Sequence, residues 1–263
     1  MRKTMSKFIE KLFDLEDRVV AITGGGGHLC GEMARAFGEA GCKVAVLDIR
    51  PEKSETVAAQ IRERGGSAVG LALDATSKSS FESALEAINR EFGALDIAVN
   101  GAGTNSSTPF FEMELKEWHS VMDSQITSTF LGCQVFGRQM VAKRSGSIIN
   151  ISSASAGPPL SRAFPYSVAK AGIKNLTQNL GREWAKLGVR VNAIRPGFFP
   201  TDWNRKNFIT AERETSILGH TPMGRYGEVS ELIGAMIWLA SDAAGFVTGA
   251  EIAVDGGFSA MTI

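Results

Sequence analysis

Short runs of Val, Ile, Leu and Ala alternate along this chain with longer stretches in which apolar residues return every third or fourth position. The runs cover residues 19–23, 43–48, 68–74, 97–100, 147–152 and 189–195. They are apolar on both faces and too short for helices, which predicts buried parallel strands. A last run at 251–254 predicts an edge strand. The stretches between them predict helices over 31–40, 53–64, 78–92, 115–143, 164–187 and 228–241. Strand and helix alternating in this way imply right-handed crossovers and a doubly wound α/β sheet of about seven strands, with helices on both faces. No repeat and no Pro/Gly-rich linker marks a second domain, so residues 15–263 are expected to form one domain behind a charged extension, 1–14. The segment 201–223 breaks the alternation after the sixth strand. In an open α/β sheet that places it over the carboxyl ends of the strands, as a lid on a substrate.

Composition narrows the partners. Lys plus Arg and Asp plus Glu each number 28, so neither nucleic acid nor an anionic membrane is expected and a small molecule fits better. The 3 cysteines, Cys30, Cys42 and Cys133, form no CxxC or His–Cys cluster, which gives neither a disulfide framework nor a metal site. A reducing compartment, the cytoplasm, follows as the expectation. No apolar run approaches the roughly 20 residues of a membrane helix.

The first strand runs into Thr23-Gly24-Gly25-Gly26-Gly27-His28-Leu29-Cys30-Gly31 and then a helix. Strand, glycine turn and helix N-terminus together cradle a phosphate, because glycine lets the backbone approach closely and the first helical N–H groups point at the anion. No frame gives GxGxxG, and a plain tight turn explains four glycines as well. The placement favours the cradle, since Asp48 ends the next strand. An acid there accepts hydrogen bonds from ribose hydroxyls and repels a 2′-phosphate, which favours NAD over NADP. Arg50 either meets such a phosphate or is a surface residue.

Six motifs in order then carry a resemblance: Thr23-Gly24, Asp74, Asn100-Gly101-Ala102-Gly103, Ser153, Tyr166-Ser167-Val168-Ala169-Lys170, and Pro196-Gly197 before Thr201. Together they resemble the classical short-chain dehydrogenases/reductases over nearly the whole chain, and this implies a Rossmann fold, a homotetramer and hydride transfer to or from NAD. The resemblance assigns Gly24, Gly27, His28 and Leu29 to the cofactor loop. It assigns Asp74 and Ala75 to the adenine, and Asn100, Gly101 and Ala102 to the cofactor border. Pro196, Gly197, Phe199 and Thr201 match the segment that grips the nicotinamide carboxamide. Two departures stand out: the second and third loop glycines of the family fall at His28 and Cys30. A one-residue shift would make Gly31 the last glycine. His28 either donates to a phosphate or faces solvent, and Cys30 reads as a small buried residue rather than a reactive thiol.

Tyr166 and Lys170 lie four apart on a predicted helix, so both project from one face. An ammonium about 4 Å from the phenol would lower its pKa by about three units and bring a phenolate within working range. Ser153, at the end of the fifth strand, matches the family's serine, whose hydroxyl holds the substrate oxygen as alkoxide character develops. The resemblance puts Gln125 where the family has an asparagine that anchors a proton-relay water, which predicts retained activity with an altered relay. The segments 195–201, 220–225 and 254–258 are similar to the sugar-acid and polyol branch that includes mannonate oxidoreductases. Asn204, Arg205, Lys206 and His220 on the lid, with Asn105, Ser106 and Ser107, are candidates to meet hydroxyls or a carboxylate. Phe198, Phe199, Trp203 and Phe208 keep a 3-oxoacyl or general ketone reductase open. His28, Cys30 and Gln125 keep open a dinucleotide-binding sensor or scaffold.

Overall fold

The computed structural model describes residues 7–157, 160–201, 205 and 209–262. Its strands are β1 (Val19–Thr23), β2 (Lys43–Asp48), β3 (Ser67–Ala72), β4 (Ile97–Asn100), β5 (Gly146–Ile151), β6 (Val189–Pro196) and β7 (Glu251–Val254). They make one parallel sheet in the order β3-β2-β1-β4-β5-β6-β7. The helices are α1 (Lys7–Leu12), α2 (His28–Glu39), α3 (Pro51–Glu63), α4 (Lys78–Phe92), α5 (Leu115–Met122), α6 (Ser128–Lys143), α7 (Phe164–Trp184), α8 (Ala211–Gly219) and α9 (Ser230–Ala240).

Side-chain alternation explains why the central strand β1 is apolar on both faces. Val20 and Ile22 of β1 join a core that includes Met33, Phe37, Val57, Ile61 and Leu232 of α2, α3 and α9. Val19 and Ala21 face the other way, onto Phe81, Ile88, Phe136 and Met140 of α4 and α6. With both faces covered, a polar residue in these strands needs an internal partner, as Asn150 has in Asn100 and Thr177 and Asn192 has in Val247 O. The winding reverses at β1, whose neighbours are β2 and β4, and the crevice above this switch is where such sheets bind ligands.

Several elements differ from the sequence expectation. The third strand stops at Ala72 rather than 74, because Asp74 folds back to accept the Thr76 N–H and hydroxyl at 2.9 and 2.7 Å. The second helix begins at His28, three residues early, since the glycine turn is compact enough to deliver Gly27 as its N-cap. The long helix predicted over 115–143 is interrupted by a π turn, Asp123–Thr127, between α5 and α6. The segment 201–223, expected as a lid, contains α8, which Thr210 caps by accepting the Arg213 N–H at 3.2 Å. The amino-terminal extension contains α1, none of whose residues is buried. No helix among the described residues is long and apolar enough to cross a membrane.

Candidate active site

The glycine turn is fastened by its own backbone. Gly25 N–H donates to Leu47 O at 2.9 Å, Gly26 N–H to Asp48 Oδ2 at 3.2 Å, and Gly27 N–H to Gly24 O at 2.9 Å. Gly24 has φ +69°, and a Cβ there would stand 3.0 Å from Ala102 Cα, so only glycine fits between the ends of β1 and β4. Thr23 Oγ1 joins the same strand ends by accepting the Gly101 and Ala102 N–H groups at 3.0 and 3.2 Å. Gly27 offers no side-chain cap and the first turn of α2 holds no acid. The His28, Leu29 and Cys30 N–H groups therefore remain available to an anion.

Both departures in the loop find a structural counterpart. The Cys30 side chain turns inward under β4, where a Cβ on Gly101 would lie 2.3 Å from its sulfur. Burial pushes this thiol up to about 12, as suits a small space-filling residue rather than a nucleophile. Gly31 supplies the close approach, since a Cβ there would meet Gly25 O at 3.2 Å. The His28 side chain is exposed.

The other sequence-assigned cofactor residues divide. Asp48 is 5% exposed, and its Oδ1 accepts the Arg50 N–H and Nε–H at 3.0 and 3.3 Å. Asp74 is exposed and Ala75 half-buried at the end of β3, and the Thr76 hydrogen bonds hold the Asp74 carboxyl below its usual range. The Asn100 side chain turns away from the crevice: Nδ2 donates to Asn150 Oδ1 at 2.9 Å inside the sheet. Asn100 therefore borders the crevice through its backbone, along with Gly101 and Ala102. Gly197 N–H donates to Val254 O at 3.0 Å, which seats Pro196–Gly197 at the end of β6. Phe199 is buried, and Thr201 O accepts the Arg205 N–H at 2.9 Å. Glycine cradle, free helical N–H groups and buried acid are a donor and acceptor set that fits a dinucleotide.

On the substrate side, Tyr166 and Lys170 share one face of α7, with Lys170 Nζ 5.4 Å from the Tyr166 ring centroid. Lys170 is only 4% exposed and donates to Ile151 O at 2.6 Å. Ser153 follows β5 and opens a 3-10 turn, Ala154–Ala156; its hydroxyl accepts the Ser155 N–H at 3.2 Å and is hydrogen-bonded to Tyr166. The electrostatics correct the sequence expectation. Burial lowers Lys170 to about 8, while burial raises Tyr166 more than its Ser153 hydrogen bond lowers it. Removing water disfavours the charged form of each group.

Gln125 is 4% exposed in the π turn. Its Nε2 donates to Thr104 O at 2.7 Å, while Ser124 Oγ accepts the Thr104 N–H at 3.1 Å. Its backbone oxygen already accepts the Ser128 and Thr129 hydroxyls at 3.0 and 2.8 Å. The π turn thus grips the chain leaving β4. Further along, Glu117 accepts the Ser106 hydroxyl and, at 2.7 Å, the Thr108 hydroxyl, and Phe110 packs on Phe164 at 5.1 Å between ring centroids. Asn105 Oδ1 accepts the Ser106 N–H at 2.8 Å, and Ser107 is exposed. Glu117 and Ser124 were not singled out in the sequence, because no local pattern shows that they reach back to this wall.

The lid candidates are partly committed elsewhere. Arg205 faces Glu214 at 4.0 Å and the Tyr226 ring at 5.0 Å, and His220 packs on Phe258 at 4.7 Å. Asn204, Lys206, Trp203 and Phe208 lie outside the described residues. Arg213, on α8, donates to Ser161 and was missed because it sits in an otherwise ordinary polar helix.

A sheet wound both ways from β1, a glycine cradle at one strand end and a Ser–Tyr–Lys group beside it define the class of the nicotinamide-nucleotide oxidoreductases. The family profile described as "Enoyl-(Acyl carrier protein) reductase" matches residues 29–259. An uncharacterized oxidoreductase of Bacillus subtilis, UxuB, is 39% identical over 95% of this chain and 97% of its own. A D-threitol dehydrogenase of Mycolicibacterium smegmatis is 33% identical over 94% of this chain and 95% of its own. A gluconate 5-dehydrogenase of Burkholderia cenocepacia, solved with NADP and tartrate, superposes with a TM-score of 0.92 at 33% identity, covering 97% of this chain and 100% of its own. A Haemophilus protein with bound NAD, provisionally described as a D-mannonate oxidoreductase, gives 0.90 at 34% identity, covering 95% of this chain and 97% of its own. The chain belongs to the short-chain dehydrogenase/reductase family and is an oxidoreductase acting on alcohol groups.

Proposed function

We propose that the chain interconverts a secondary alcohol and a ketone on a sugar acid or polyol, with NAD as the preferred cofactor. The observation that carries the reaction is the Ser153–Tyr166–Lys170 group at the end of β5, beside the glycine cradle at the switch point. NAD, when bound, supplies the hydride acceptor and NADH the donor. Gly24, Gly27, Leu29, Gly101, Ala102, Gly197 and Thr201 hold it by close backbone approach. Ser153 holds the substrate oxygen. Tyr166 takes the hydroxyl proton in oxidation and returns it in reduction, and Lys170 supports the phenolate that oxidation requires.

Asp48 supports NAD, because its buried carboxylate lies where a 2′-phosphate would crowd it, and the Arg50 Nε–H that would soften this is spent on Asp48 itself. The substrate class rests on the named relatives and on the hydroxyl-bearing wall from Thr104 to Thr108. A ketone reductase with a greasy pocket is less well supported: Phe198 packs on Phe258 at 5.2 Å, and Phe199 is buried.

The test is nicotinamide reduction followed optically, with NAD and NADP, against aldonates, polyols and simple secondary alcohols. Turnover is expected on polyhydroxylated substrates with NAD favoured. Tight NADH binding without turnover across the panel would make the chain a sensor instead.

A further inference from the structure

Resting on the sugar-acid reading above, we propose that Arg213 recognises the carboxylate of the substrate and so selects acids over the matching polyols. Four guanidinium groups around the carboxyl-end face meet carboxylates, whereas Arg162, exposed beside Ser161, meets none among the described residues. Arg50 faces Asp48 at 3.3 Å, Arg195 faces Glu251 at 3.3 Å, Arg205 faces Glu214 at 4.0 Å and Arg225 faces Glu231 at 2.7 Å. Arg213 has no carboxylate within ion-pair distance among the described residues. It reaches from lid helix α8 to Ser161, donating to Ser161 Oγ at 3.3 Å and to Ser161 O at 3.4 Å. Ser161 belongs to the segment joining Ser153 to Tyr166, so the guanidinium bridges the lid and the chain that carries the candidate chemistry.

Its present partners are weak and neutral. A charge-assisted N–H···O bond to a carboxylate is shorter and roughly twice as strong, and the guanidinium fork matches both carboxylate oxygens at once. Exchange of Ser161 for a substrate carboxylate is therefore favourable, whereas a polyol offers no group to drive it. The helix gives Arg213 no local reason to be cationic. It lies in the first turn of α8, where the macrodipole favours the neighbouring Glu212 and Glu214 and opposes a positive charge. Beside Ser161, Arg162 is exposed and held at φ +53°, a left-handed conformation that an arginine adopts only at a cost. The contact that Arg213 makes thus falls beside a locally strained residue.

The experiment compares kcat/KM for D-gluconate with D-glucitol, and for D-mannonate with D-mannitol, in the native protein, Arg213→Met and Arg213→Lys. The acid-to-polyol ratio is expected to fall about 10- to 100-fold in the methionine variant, the loss of a charged hydrogen bond. Lysine should restore part of it, because it keeps the charge and loses the fork. Calorimetry of D-gluconate or D-mannonate binding to the protein loaded with NADH gives a second readout, and an equal NADH affinity in all three proteins shows that the cradle is intact. A ratio unchanged within about twofold, with unchanged aldonate binding, overturns the role of Arg213. Absence of turnover on every polyhydroxylated substrate overturns the functional reading instead, and the aldonate binding comparison still decides Arg213.

Discussion

Lys170 is a cation enclosed by protein with one carbonyl to receive its charge, and that carries an energetic signature of its own. Its pKa falls from 10.5 to about 8 through burial. Between those values the unfolded chain holds the proton that the native protein has released, so stability due to Lys170 rises with pH across this window and is flat below it. Relative to Lys170→Met, the native protein should gain on the order of 3 kcal/mol from pH 8 to 10.5 in denaturant titrations. A constant difference would mean that the lysine is solvated. Cys30 and Gly101 form the second telling pair, since a Cβ on residue 101 would meet the Cys30 sulfur at 2.3 Å. Gly101→Ala should cost about 1–3 kcal/mol by overpacking and weaken NADH binding. Adding Cys30→Gly should restore most of both losses, and additive effects in that double-mutant cycle would exclude the coupling.

At the scale of elements, the sequence is most informative where burial on both faces forces a pattern, and least where the structure depends on a distant partner. β1, β2, β4 and β7 fall on the expected residues, and α4 does too, because each is bounded by a turn or cap written locally. Ser77, for example, caps α4 by accepting the Ser80 N–H. The π turn at 123–127 could not be read in this way, because its five residues continue a helical pattern and the reason for the extra residue lies some 20 positions away, at Thr104. The motif assigns Gln125 to a proton relay, and the structure adds a contact that the motif does not show. Its Nε2 donates to Thr104 O and its backbone oxygen accepts two hydroxyls, while its buried Oε1 has no partner among the described residues. Gln125→Asn shortens the side chain by one methylene and should release that grip. The expected result is a KM for the alcohol raised about 3- to 10-fold, as for loss of one hydrogen bond, with the pH profile of kcat retained. A shifted pH profile at constant KM would return the residue to the relay.

The whole molecule leaves apolar side chains outside its two cores. Phe130 on α6 is 45% exposed and Val168 on α7 is 50% exposed. Each lies one turn from the place where Ile126 and Gly172 approach, where a Cβ on the glycine would be 3.5 Å from Ile126 Cδ1. Neither is covered by the described residues, and α6 and α7 bury their opposite faces against the sheet. A surface of this kind is stable in water when a second copy covers it. From the family resemblance we expect a homotetramer of the 28.1 kDa chain by light scattering, with the α6 and α7 faces as the candidate for one of its two-fold contacts. Phe130→Glu would put a carboxylate on that face of each copy, where burial and like charge oppose pairing. It should reduce the assembly to a smaller species that still binds NADH, because the glycine cradle draws all its residues from one chain. A native protein that scatters as a monomer, or a Phe130→Glu variant that remains a tetramer, would move the interface elsewhere or remove it.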